Sequence, residues 1–100
     1  MVNIFGHVGR LGQDPEMKYF DSGKVVAKFT LAVGFGEKVN WFNYEAWGNP
    51  AETIGEQKKG SQISVSGYSK QEKWEDKDGN KRSKVVFVVT SVTLLGKKED

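Results

Sequence analysis

The chain has 100 residues, 37% hydrophobic and 28% charged with twelve glycines, a composition that fits one ordinary globular domain and excludes a disordered or fibrous chain. It has no cysteine and one histidine, which excludes a disulfide framework and a cysteine/histidine zinc cluster, and its longest apolar run is five residues against the roughly 20 that span a bilayer. Fifteen basic and thirteen acidic side chains leave a net charge of only +2, so a nucleic-acid partner has to be argued from where the charges lie.

Residues 2–11 read as the first strand, and Asp14-Pro15 and Asp21-Ser22-Gly23 beyond them are turn formers. The segment 24–33 alternates, with Val25, Ala27, Phe29, Leu31 and Val33 on one face and Lys24, Val26, Lys28, Thr30 and Ala32 on the other. This second strand and the first are expected to form a long hairpin. Residues 41–47 alternate again: Phe42, Tyr44 and Ala46 share one side, Trp41, Asn43, Glu45 and Trp47 the other. Asn49 as N-cap, Pro50 in the first turn, Glu52 at N3 and Gly60 at C′ predict a helix over about 50–59. A fourth strand follows with Ile63 and Val65 facing inward and continues through Tyr68 and Lys70. Residues 71–83 are strongly charged and turn at Asp78-Gly79 before the run 85–89 opens the fifth strand. That run is apolar on both faces, so its outer face needs a cover, for which self-association is one candidate. The order predicts an all-β OB-fold, a five-stranded barrel with a short helix between strands 3 and 4 and a long charged hairpin between strands 4 and 5, over residues 1–96. Residues 97–100 are a short charged end.

Two patterns point to function. Trp41 and Trp47 lie six residues apart on the outward face of the third strand, roughly 20 Å at about 3.3 Å per residue, a span that seats several bases. An exposed indole is a stacking surface for any base; the competing reading makes these rings core or subunit-contact residues. Trp74 stands among six cations, Lys70, Lys73, Lys77, Lys81, Arg82 and Lys84, as suits an arm whose charges replace the counterions of phosphates. The alternative is a solvated hairpin whose Glu72, Glu75, Asp76 and Asp78 balance that charge.

The runs LGQDPEMKYFDSGKVVAKFTLAV at 11–33, NWFNYEAWG at 40–48, KKGSQISVSG at 58–67 and KWEDKDG at 73–79 resemble bacterial single-stranded DNA-binding proteins, in that family's order and over nearly the whole chain. The resemblance implies an OB-fold without catalytic residues or cofactor that assembles, usually as a homotetramer, and wraps single-stranded DNA in replication, recombination and repair. It places Trp41, Trp47 and Trp74 where the family has base-stacking aromatics, and Arg10, Lys70 and Lys73 as phosphate neighbours. Asn43 lies between the first two tryptophans, and Lys81 and Arg82 belong to the charged arm. Lys28 and Tyr68 join the expected interface from outward parity alone, with packing the alternative for Tyr68. The chain departs from the family's pattern twice. Only GFGEKV joins strands 2 and 3, where many relatives have a longer basic hairpin with another aromatic, and Phe35 is a partial substitute. The chain ends GKKED, without the acidic Asp/Pro/Phe tip that recruits partner proteins in many relatives.

No phosphate-binding GxxxxGK[ST] run occurs, and His7 is read as a packed or inter-subunit side chain rather than a base, so no enzyme is expected. Asp14 and Glu16 are read as part of the Asp-Pro turn. An interaction module related to these proteins, and single-stranded RNA as ligand, remain competing functions. The N-terminus carries no basic segment leading into an apolar one, and the expected place is the cytoplasm at the nucleoid, with a plastid or phage origin left open.

Overall fold

A computed structural model describes residues 3–96, with Phe35 placed by its backbone alone. Six strands and one helix run in the order β1 (Phe5–Leu11), β2 (Glu16–Tyr19), β3 (Val25–Phe35), β4 (Lys38–Trp47), α1 (Asn49–Gly55), β5 (Gln62–Glu75) and β6 (Lys81–Gly96). The sheet order is β1-β5-β6-β4-β3-β2, and β1 also pairs with β3, so five strands close a ring and β2 hangs from its rim. All pairings are antiparallel except that between β4 and β6.

The expected long hairpin of the first two strands is replaced by a shorter arrangement. β1 meets β3 only at Arg10–Ala32 and Leu11–Leu31, and then pairs with β5 along its length. The hairpin partner of β3 is instead β2, from Glu16–Lys28 to Tyr19–Val25. Closing a ring requires each strand to have two neighbours, and that requirement draws β1 away from its sequence neighbour.

The interior is filled by the inward members of each alternation: Phe5, Leu11, Ala27, Phe29, Leu31, Tyr44, Ala46, Ile63, Val65 and Val89. Phe87 fills the gap between rings, with its centroid 4.8 Å from Phe5 and 5.3 Å from Phe42. The helix adds Ala51 and Ile54 to this core. It is shorter than expected, because Gln57 N–H bonds to Ile54 O and Glu56 N–H to Thr53 O, closing the last turn at Gly55. Gly60 serves a later turn instead, at φ 92, with its N–H on Leu11 O. The N-cap is Gly48 rather than Asn49, with no side-chain cap; its φ of 69 turns the chain sharply from strand to helix.

The charged segment 71–83 is paired strand over most of its length. β5 and β6 stay in register from Tyr68–Val88 out to Glu75–Lys81, forming a two-stranded arm. Its tip turns at Asp78-Gly79 as expected, with Gly79 N–H on Asp76 O and Asp76 N–H on Asn80 O. Val86 and Val88 on the outer face of β6 are buried by the chain itself, flanked in register by Lys70, Tyr68 and Glu45, so self-association is not needed to cover them.

Candidate nucleic-acid interface

Residues opposite each other in neighbouring strands project to the same side of a sheet. The registers Arg10–Ala32–Trp41, Thr30–Asn43, Glu16–Lys28–Glu45 and Val26–Trp47 therefore build one outward face. It continues across Glu45–Val88–Tyr68 into the arm, through Val86–Lys70, Lys84–Glu72 and Arg82–Trp74. Arg10, Lys28, Trp41, Asn43, Trp47, Tyr68, Lys70, Trp74 and Arg82 all lie on it. Lys73 and Lys81 do not: they pair with Ser83 and Glu75 on the opposite side of the arm. The side chain of Phe35 lies outside the described residues.

The rings on this face are open to solvent. Trp41 is 61% exposed, Trp47 43%, Tyr68 45% and Trp74 46%. Trp41 lies over Gly12, whose missing Cβ leaves room for the six-membered part of the indole. Trp47 is stacked at 14° on Phe20 with centroids 5.9 Å apart, and Lys18 Nζ sits 5.1 Å from the Phe20 centroid. Lys84 Nζ is 5.9 Å from the centroid of Trp74. Lys84 was among the cations expected around Trp74, whereas sequence reasoning had not placed Phe20 on this face. The parity of Glu16, Lys18 and Phe20 would have found Phe20 had β2 been recognised as a strand in register with Val26.

The electrostatics are mixed. Glu45, on the outward face yet only 5% exposed, places Oε1 2.5 Å from Lys70 Nζ and accepts a 3.3 Å hydrogen bond at Oε2 from Trp47 Nε1. This bond to Glu45 raises the Lys70 ammonium above its ordinary pKa, against some desolvation. Arg82 Nε lies 3.0 Å from Asp76 Oδ2, and Asp76 is held below the usual carboxylate range chiefly by the Asn80 N–H. Arg10 donates to Gly60 O at 2.9 Å, which fixes the guanidinium at the edge of the face. A groove of about 220 Å³ runs between Lys28, Asn43, Glu45, Glu72 and Lys84. Asp14 turns away from chemistry, its Oδ1 accepting the Lys59 N–H at 2.8 Å. Among the described residues no helix is long and apolar enough to cross a membrane, and no three His, Cys, Asp or Glu side chains group as metal ligands.

A model of the single-strand binding protein family matches residues 2–95. The chain belongs to this family. Its ring of five strands, with the helix between the third and fourth of them, is accordingly that family's OB-fold, to which β2 is an addition. Single-stranded DNA-binding protein 1 of Synechocystis sp. is 48% identical over 106 residues, an alignment covering 99% of this chain and 88% of the relative. Single-stranded DNA-binding protein 1 of Nostoc sp. is 43% identical over 99% of this chain and 87% of its own length. The corresponding protein 1 of Xylella fastidiosa is 35% identical, covering 99% of this chain and 81% of the relative. The three alignments each cover 99% of this chain.

Proposed function

We propose that the chain binds single-stranded DNA without sequence preference and without catalysis, holding unpaired strands during replication, recombination and repair. The observation that carries this reading is one face presenting Trp41, Trp47, Tyr68 and Trp74 to solvent, interleaved with cations. Large apolar rings are costly to leave in water, and bases laid flat on them bury that surface at about 1–3 kcal/mol each whatever their identity. Duplex DNA keeps its bases stacked on each other and offers the rings nothing. Lys28, Lys84 and Arg10 supply phosphate contacts on the same face; Lys73 and Lys81 serve a strand that passes round the arm. The names of the relatives, each a single-stranded DNA-binding protein, support the same ligand.

The working form is a homo-oligomer, a tetramer by resemblance, acting at the nucleoid. Among the described residues no strand pairs with the edge of β1 that faces away from β5 from Phe5 to Gly9, and Val8, Leu94 and Leu95 are exposed, which supports assembly through that part of the ring. Sedimentation equilibrium reads the subunit number directly.

Competition for a labelled oligo(dT) tests the ligand. Unlabelled oligo(dT) displaces the probe, and duplex of equal charge fails to do so. Equal competition by duplex would reduce the site to an electrostatic patch, and failure to bind at low salt would leave an interaction module. Oligo(U) competing as well as oligo(dT) would make the ligand single strands of either sugar.

A further inference from the structure

We propose that Glu45 acts as a charge-balancing residue of the interface, holding Lys70 against the protein so that Lys70 makes no contact with DNA phosphate. The inference rests on the functional reading above and concerns how its cations divide. By position Lys70 belongs with the phosphate-binding cations: it stands on the outward face, in register with Val86, beside Tyr68 and close to the groove. Its geometry contradicts that role. Nζ lies 2.5 Å from Glu45 Oε1, with Glu72 Oε1 a second carboxylate at 3.9 Å. The Glu45 side chain is 7% exposed while that of Lys70 is 44% exposed, so the carboxylate is sunk in the sheet and the ammonium lies over it.

The two oxygens of Glu45 have different partners. Oε2 takes the Trp47 indole N–H, and Oε1 has no partner among the described residues but Lys70. If a phosphate pulled Lys70 away, Oε1 would be left buried and charged with nothing to balance it, whereas a phosphate denied Lys70 keeps its water and counterions. The pair therefore survives binding, and Lys70 releases no counterion. Lys28 differs: it lies between Glu16 and Glu45 in register yet forms no ion pair among the described residues, and it is exposed.

The salt dependence of binding counts the cations on phosphate, since each contact to a single strand contributes about 0.7 to the slope of log K against log salt. Oligo(dT) affinity is measured from low to high salt for the wild type, Glu45→Gln, Lys70→Met and the double variant, each first shown to melt cooperatively. Glutamine keeps an acceptor for Trp47 while removing the charge that holds Lys70. Glu45→Gln should steepen the slope by about 0.7 and tighten binding about fivefold at 0.1 M salt. Lys70→Met should leave the wild-type slope unchanged, and the double variant should return to it, which separates a freed lysine from a disturbed fold. A slope lowered by about 0.7 in Lys70→Met, or unchanged in Glu45→Gln, would show that Lys70 already sits on phosphate and overturn the inference while leaving the function intact. A wild type that binds no oligo(dT) overturns both.

Discussion

At Gly12 a hydrogen stands where any other residue would put a carbon into Trp41 Cζ3. The obstacle is the far end of a side chain, not backbone, so Gly12→Ala moves the indole rather than unfolding the chain. We expect oligo(dT) binding to weaken by about 1 kcal/mol, roughly fivefold, with a near-unchanged melting temperature. Trp41→Ala should cost more, up to the ~3 kcal/mol of a full stack, again with little loss of stability because the ring is 61% exposed. Binding isotherms beside thermal melts separate the two effects. The outward parity of Trp41, Asn43 and Trp47 was legible in the sequence because a strand alternates strictly. The burial of Glu45 was not: period-2 reasoning puts it outside with the tryptophans, and only the lysine across β6 and the neighbouring indole reveal why it can be sunk there.

Elements built on a clear local signal were read well, and those decided by distant partners were not. The β4 alternation, the turn at Asp78-Gly79 and the existence of the helix are local matters. β2 escaped because Glu16–Tyr19 is only four residues long, with Met17 packed on the core and Tyr19, on the same side, left exposed; pairing with β3 makes it a strand. The long charged hairpin expected between strands 4 and 5 is present, with fourteen-residue β5 and sixteen-residue β6 running through it as one ladder. That ladder depends on the irregularity between Ser66 and Gly67, where β5 shifts register against β6. A Cβ at Gly67 would run into the backbone carbonyl of Val88, which has no flexible side chain to yield. Gly67→Ala should therefore destabilise the protein by on the order of 1–3 kcal/mol and lower the melting temperature by several degrees, measured by circular dichroism.

Across the whole molecule, the ring closes around one cluster of aromatic side chains that includes His7. Its imidazole is stacked on Phe42 at 5.1 Å and lies 5.0 Å from Phe5 and from Phe87, with Nδ1 2.8 Å from the Tyr44 hydroxyl. Burial lowers the His7 pKa below 6.5 and pushes the Tyr44 hydroxyl well above its ordinary value, so a neutral imidazole and an un-ionised hydroxyl share this hydrogen bond. The unfolded chain then binds a proton more readily than the folded one, and stability falls as pH drops below about 6.5. Urea denaturation at pH 7.5 and 5.5 should show this loss in the wild type and a smaller one in His7→Gln. Asp76 does not contribute there, because its depressed carboxyl loses stability only as pH falls below 3.8. The central claim is that bases lie on the open indoles, and the emission of the three tryptophans during titration with oligo(dT) tests it most directly. We predict deep quenching that saturates together with binding followed by anisotropy and reverses with salt; full binding by anisotropy with emission unchanged would contradict the account.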